Sequence, residues 1–461
     1  MESDKPIDTP AGARATRISR RSFLRLVGTA AAAGAVSTLA ACAPGGTQPT
    51  PAPGEKVQLV YQDWRTEWFP GMAQQMLDEF HATHPNIRVF YTPDPDNAAE
   101  SMPRDMEAGT APDVLQGCCE SLPAWAQRGY LLDLRPYVQA DLDRATIDEW
   151  DPAQYKALFT RDGLQFALPK YHGALALYFN KRLFDALKVD YPDGTWTYTD
   201  YWEAMKKLSG DRDADGQRDL WGSMLDIAWD RLQVHANAWG GGFVHPADAQ
   251  RSLIASPQTL EALEWVRARI WDDRVMASFL DVQNLETRQA FVDERIAMVE
   301  DGSWALKDIL QNAQFQLGVA PMPIGPARRV TLATTDGFAI YSKTRYPEAA
   351  WELVKFLIGR DYGRAMARAN FLQPARESLV DEWAQMIRDE YPDKSKDLDI
   401  GVFAEGHRQG YSVTAEIFAN QAEAWRLVQP AWEEIFMLGR SSVDEMKLVS
   451  EQVEAAQAAG G

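Results

Sequence analysis

Apolar positions along the chain alternate between two spacings, one near two residues and one near 3.6. Val57-Gln58-Leu59-Val60-Tyr61 reads as a short strand, followed by a loop carrying Asp63, Trp64, Arg65 and Trp68. From Gly71 to His84 the spacing of Met72, Met76, Leu77 and Phe80 is helical, and Pro85 stops it. Ile87–Tyr91 predicts a second strand, Met102–Ala108 a helix, and Ala111–Leu115 a third strand opened by a turn. Leu122–Gly129 predicts a helix closed by glycine, with the apolar run Tyr130–Leu134 after it. Further on, Phe166–Pro169 and Gly173–Phe179 form an apolar strand pair, and Asn180-Lys181 caps a helix. Helical patterns follow at Thr197–Leu208, Arg231–Trp239 and Pro257–Trp271. Short strands are predicted at Ile296–Val299, Phe315–Pro323 and Gly337–Tyr341, and from Pro347 the chain reads mainly helical. Strands alternating with helices predict α/β layers around mostly parallel sheet.

The N-terminal pattern differs. Ser19-Arg20-Arg21-Ser22-Phe23-Leu24-Arg25 precedes an Ala-rich apolar run from Leu26 to Ala35, then Leu39-Ala40-Ala41-Cys42. That run is shorter than the ~20 residues needed to span a bilayer. The stretch resembles a twin-arginine export signal joined to a lipobox, the signal of bacterial lipoproteins. The resemblance implies that residues 1–41 are a signal peptide and that Cys42 carries lipid. Residues 42–56, rich in Pro, Gly and Thr, read as a flexible tether.

Removing residues 1–41 leaves 420 residues with 41 basic and 63 acidic side chains, a net charge of −22. Such a surface repels phosphate backbones, so nucleic-acid binding is not expected. The length favours two lobes over one core. Sixteen tryptophans exceed what packing alone asks for. With Cys42 assigned to lipid, only the adjacent pair Cys118 and Cys119 remains, and bridging neighbours needs a strained ring. No disulfide framework is expected.

Several stretches occur in a recognisable order: Thr110-Ala111-Pro112-Asp113-Val114; Leu168-Pro169 with Leu177-Tyr178-Phe179-Asn180-Lys181-Arg182-Leu183-Phe184; and Thr195-Trp196-Thr197-Tyr198. Then come Trp239-Gly240-Gly241-Gly242, Ile296-Ala297-Met298 through Gly302-Ser303-Trp304, Val319-Ala320-Pro321-Met322-Pro323, Pro347–Leu357 and Pro374-Ala375-Arg376. Together they resemble the extracellular solute-binding proteins (family 1) of carbohydrate ABC transporters, typified by maltose-binding protein. The resemblance implies a type II α/β fold, with two lobes joined by crossing strands and ligand held in the cleft between them. By resemblance the crossings fall near Ala167–Leu175, Val299–Trp304 and Tyr341. Lobe 1 is then residues 57–170 and 302–342, and lobe 2 residues 171–301 and 343–461.

A sugar offers C–H ring faces that suit indole or phenol rings, and a rim of hydroxyls that suits carboxylates, arginines and backbone groups. Candidate ligand residues are therefore aromatic and charged residues at strand ends. Trp64 and Arg65 follow the first strand; Tyr171 and His172 precede a crossing; Trp229 and Asp230 lie in a polar-aromatic loop. Trp239 and Gly241 end the next helix, where glycine lets backbone approach a ligand. By resemblance, Glu120 takes the place of an acidic hydroxyl acceptor, Trp304 matches a stacking tryptophan, and Asp336 and Phe338 face the same region. Arg376 follows Pro374. Trp425 and Trp432, at helical spacing, are expected to be core.

Asp211, Asp213, Asp215 and Asp219 with Gly216 follow the calcium-loop pattern, but Gly222 stands where the bidentate glutamate belongs. The loop is a candidate structural Ca2+ site or a solvated turn. His81 and His84 are spaced for a metal but have no third ligand nearby. No cofactor is required by any motif.

These observations predict a binding lipoprotein on the extracytoplasmic face, a monomer that presents sugar to the permease subunits of an importer and performs no chemistry on it. Two other readings stand beside it. One is a same-fold binder of a non-sugar solute, for which Arg65 and Arg376 would suit an anion. The other is a secreted carbohydrate-active enzyme, which needs two opposed carboxylates about 5–10 Å apart; no Gly-x-Ser-x-Gly elbow or zinc signature is present.

Overall fold

The computed structural model describes residues 56–459 apart from Asp213. The signal segment, Cys42 and nearly all of the tether lie outside the described residues. Two five-stranded sheets organise the rest into the two lobes of a type II binding-protein fold. The first sheet has the strand order Ile87–Pro93, Val57–Asp63, Val114–Gly117, Gly337–Ile340, Leu168–Pro169. Its first three strands are parallel, and Gly337–Ile340 runs antiparallel to both neighbours. Val57, Leu59 and Tyr61 point inward while Gln58 points out, so the alternation read from sequence is the pleat of the sheet. The second sheet has the order Leu317–Ala320, Leu175–Asn180, Ile296–Gly302, Trp221–Met224, Met276–Ala277. Both central strands are buried throughout, as expected of strands covered on two faces.

Local chemistry sets the helix starts. Asn180 accepts from the Leu183 amide at 3.3 Å. Thr197 and Asp200 form a reciprocal capping box for Tyr198–Leu208. Ser256 caps Pro257–Trp271. Phe69–Thr83 starts two residues before the predicted Gly71, because Pro70 fits the first helical turn.

Three segments pass between the lobes: 169–175, 331–337 and 371–376. They are tied to one another. The Lys170 amide donates to the Asp336 carbonyl (3.0 Å), Thr334 to Gly173 (3.0 Å) and His172 to Gln373 (3.0 Å). The buried Gln154 amide donates to the carbonyls of Tyr171 (2.8 Å) and Thr334 (2.6 Å).

The first crossing lies where the resemblance put it, and the other two do not. Val299–Trp304 is no crossing: Ile296–Gly302 is a central strand of the second sheet, and Ser303–Asn312 continues as helix in that lobe. Tyr341 stays in lobe 1, its amide donating to Asp113 at 3.0 Å. The lobe boundaries shift accordingly. Leu317–Ala320 belongs to the second sheet, so most of 302–342 is lobe 2. Pro347–Leu357 and Arg360–Asn370 pack mainly against the first sheet through Trp351, Leu353, Val354, Tyr362 and Met366, so this part of 343–461 is lobe 1. A helix is placed by the sheet its apolar face covers, which chain order does not reveal. From 380 onward the helices cover the second lobe.

Candidate functional site

On the lobe 1 side, Val57–Asp63 ends on a carboxylate with no solvent exposure, which forms an ion pair with the equally buried ammonium of Lys170 on the first crossing. The Asp63 carboxylate also accepts from the Trp64 amide (2.6 Å) and the Tyr61 hydroxyl. Asp336, on the second crossing, is buried beside the pair; burial pushes its carboxyl up to about 6, Lys170 opposes that rise and Asp63 adds to it. Above the pair lies Trp64. The Lys170 Nζ sits 3.1 Å from the centre of its ring, and Tyr171 and Phe69 meet it edge-on at 5.6 and 5.4 Å. The half-buried Trp64 is thus held on several sides.

On the lobe 2 side, Trp304 follows the end of Ile296–Gly302 and is half-buried. Among the described residues it is a partly buried side chain packed on the cores of both lobes. Gly173 makes that position possible: a Cβ there would come within 2.6 Å of Thr334 and 2.8 Å of Trp304. The Arg231 guanidinium lies 5.3 Å from the Trp304 ring centre and pairs with Asp230 at 2.9 Å. Beside them is a cavity of about 440 Å³ lined by Asp226, Arg231, Phe279, Glu286, Asp301 and Trp304 among others. Asp301 is engaged by Arg288 at 2.8 Å. Asp226 is open to solvent, yet the surrounding walls raise its carboxyl; Arg231 opposes this, and Asp230, Asp301 and Glu286 reinforce it. The cavity therefore combines an aromatic face with acceptors and donors around it, the composition of a small-molecule site.

Of the predicted residues, Trp64, Tyr171 and Asp336 gather at lobe 1's cleft-facing strand ends, and Trp304 and Asp230 on the lobe 2 side. Tyr171 is buried against Trp64 rather than open. Glu120 is exposed just after Val114–Gly117. Arg65 is exposed and paired with Asp96.

The remaining predicted residues have structural partners. His172 is buried with its imidazole 3.4 Å from Asp151 in the crossing region. Phe338 has no exposure and packs on Tyr61 and Tyr362 in the lobe 1 core. Arg376 donates to the Ile358 carbonyl at 3.1 Å and lies 3.5 Å from Glu149. Trp229 donates to the Glu416 carbonyl at 2.7 Å inside a cluster with Phe243, Trp425 and Trp432. Trp239 sits at the other end of the helix Trp229–Ala238, ~15 Å along its axis, packed on Tyr198 and Trp265. Gly241 serves packing: a Cβ would lie 2.5 Å from Thr259 Oγ1. Trp432 is core, as expected, and Trp425 packs on that core half-buried.

Lys170, Asp226, Arg231, Phe279 and Glu286 were not singled out as ligand residues. A lysine between Pro169 and Tyr171, in an otherwise apolar stretch, was a usable signal. Arg231 was hidden because helical spacing accounts for it without a ligand.

In the aspartate loop, Asp211 accepts from the amides of Ala214 and Gly216 at 2.7 Å each, and Asp215 from Gln217 at 2.7 Å. Asp219 pairs with Arg212 at 3.0 Å; Asp213 lies outside the described residues. Among the described residues no group of three or more His, Cys, Asp or Glu is arranged to hold a metal. His81 accepts from the Val89 amide at 2.9 Å, and His84 stacks on Phe80.

Two lobes, tied crossings and a tryptophan shared between the lobe cores define a solute-binding protein. The family model for the bacterial extracellular solute-binding proteins matches residues 64–364, and the chain belongs to that family. It is 24% identical over 304 residues to a binding protein of Brucella abortus, covering 65% of this chain and 70% of that one. A lipoprotein of Streptomyces antibioticus is 25% identical over 339 residues, covering 69% and 70%. Among solved structures, an ABC substrate-binding protein of Listeria monocytogenes in complex with cycloalternan superposes with a TM-score of 0.74 at 23% identity, covering 88% of this chain and 100% of that one. It shares the fold.

Proposed function

We propose that the protein captures an oligosaccharide between its lobes and delivers it to the permease of an ABC importer. The observation that carries this reading is Trp304: a half-open indole touching both lobe cores, with Arg231 near its ring and the carboxylates of Asp226, Glu286 and Asp301 beside it. A sugar ring would lie on the indole and its hydroxyls would donate to the carboxylates. Closure of the lobes about the crossings would enclose it. The cycloalternan complex of the Listeria neighbour supports the carbohydrate class. An anionic solute is less well supported, because Arg65, Arg231, Arg288 and Arg376 all have carboxylate partners already. No step of catalysis is assigned, and the site is read as requiring no metal. The chain is read as exported by its twin-arginine signal, anchored through lipid on Cys42 and monomeric; the Streptomyces lipoprotein supports the anchor.

The test is thermal unfolding of the protein without its signal segment against a panel of mono-, di- and oligosaccharides. A ligand at ~100 Kd should stabilise the folded state by ~2.7 kcal/mol. One sugar giving that shift and recovered intact supports the reading. A panel without any shift, or a sugar recovered cleaved, overturns it.

A further inference from the structure

Cys118 and Cys119 directly follow the strand Val114–Gly117, at the same end of the first sheet as Trp64 and Asp336. Both are free; Cys118 is half-buried and Cys119 exposed. Cys119 holds a left-handed backbone with φ 54°, a conformation that side chains other than glycine seldom adopt. Two bonds fix that turn. The Cys119 amide donates to Thr335 Oγ1 at 3.2 Å, on the second crossing, and the Ser121 amide donates to the Cys118 carbonyl at 3.0 Å. The adjacent Cys118 thiol, desolvation of the sulfur within an otherwise exposed residue, and the carboxylates of Asp336 and Glu120 hold the Cys119 thiol well above its ordinary value.

We propose that Cys118 and Cys119 are a reversible thiol–disulfide modification site in the lobe 1 wall of the cleft, bridged in the oxidising exterior and open when reduced. The surroundings favour a neutral form. Asp336 and Glu120 oppose a thiolate, which is both the form a soft metal would need and the form that attacks a disulfide, so bridging starts slowly and its uncharged product is the state these carboxylates accommodate. Bridging proceeds by exchange with a small-molecule disulfide. One cysteine sulfur attacks it and releases one thiol; the neighbouring sulfur then displaces the second, so one S–S bond forms, one breaks, and both protons leave on the released thiols. Adjacent Cα atoms lie only ~3.8 Å apart, below the usual span of a disulfide, so the ring is strained and easily reduced. In the bridged state two polar S–H groups are replaced by a compact, polarisable sulfur surface, which suits the C–H face of a sugar. This last step rests on the proposed carbohydrate function and bridging in the cell on the proposed export; the competence of the pair to bridge rests on neither.

The test treats the full chain with excess oxidised glutathione, alkylates remaining thiols, digests with trypsin and weighs the peptide Asp105–Arg128, which holds both cysteines. The expected product is that peptide short of two hydrogens and unlabelled, restored to two labelled thiols by dithiothreitol. Two surviving thiols, two glutathione adducts or a cross-link to the peptide carrying Cys42 would overturn the proposal. Titration with the sugar found by thermal unfolding then compares oxidised and reduced protein. A change in Kd of about fivefold or more, absent in the C118S/C119S double variant, places the pair in the ligand wall. Equal affinity in both states refutes that placement while leaving the bridging result intact. If no sugar binds, the functional reading fails and the mass measurement still decides the modification.

Discussion

The two walls of the cleft hold their charges in opposite ways. In lobe 1, Asp63, Lys170 and Asp336 lie out of water beneath Trp64, and Lys170 is tied both to a strand end and to the ring it supports. In lobe 2, Asp226 and Glu286 line an open cavity beside Trp304, and the nearest cation, Arg231, is held by its neighbour Asp230. A buried pair costs desolvation and fixes geometry; open carboxylates keep free lone pairs. Lobe 1 therefore offers a rigid platform, and on the proposed function lobe 2 offers hydroxyl acceptors around an aromatic face. Similar residue types are thus shut away from water in one lobe and left open to it in the other.

The sharpest way to break this contrast is Lys170→Met. It leaves Asp63 buried without its partner and should cost about 3–5 kcal/mol of stability, read as a lowered urea midpoint. A loss below about 1 kcal/mol would mean that the pair is not buried as described. The conservative change on the lobe 2 side, Arg231→Lys, should leave the midpoint almost unmoved.

Asp336→Asn comes next. Its folded-state pKa of about 6 lies above the unfolded value, so the folded state holds this proton more tightly. The wild type should lose stability as pH rises from about 4 through about 6, and retain that contribution below about 4. The loss attached to this group is on the order of 2–3 kcal/mol. Asp336→Asn should flatten that part of the profile and be more stable than wild type at pH 7. Denaturant midpoints measured at half-unit steps between pH 4 and 7.5 decide it, and parallel profiles for the two proteins would rule the assignment out.

Arg231→Ala is smaller. Removing a cation near Trp304 should weaken sugar binding by about 0.5–1 kcal/mol, roughly two- to fivefold, with little change in melting temperature. Removal of divalent cations with EDTA should have the smallest effect. The loop amides and Arg212 already engage Asp211, Asp215 and Asp219, so the melting temperature should stay within a degree. A drop of several degrees, reversed by Ca2+, would instead make the loop a structural calcium site.

How far the sequence could be read depended on the kind of signal. Strand and helix positions were legible because burial repeats with the pleat and the helical turn; Val57–Asp63 and Tyr198–Leu208 follow their patterns closely. Trp304 was singled out through the resemblance of Gly302-Ser303-Trp304 to the family's stacking tryptophan, not through its spacing. The lobe boundaries were not. Nothing in the spacing of Pro347–Leu357 says which sheet its apolar face will cover. Trp239 and Gly241 looked equivalent to Trp229 as loop aromatics and a flexible turn, but one helix length separates the two tryptophans, and Thr259 fills the space over the glycine. Phe338 lies inside the strand that Asp336 precedes, and the fold packs it on Tyr61 and Tyr362 in the lobe 1 core. Lys170 carries no local signal for its partner, because only the fold brings Asp63 to it across 107 positions.

The most direct test is calorimetric titration of wild type and Trp304→Ala with the oligosaccharide that gives the largest thermal shift. Wild type should bind one oligosaccharide per chain. In the variant, affinity should be lower by at least about 2 kcal/mol, close to thirtyfold, with a single cooperative unfolding transition showing that it is folded at the titration temperature. Equal affinity in the two proteins would contradict this, because the sugar would then lie away from the tryptophan that joins the lobes.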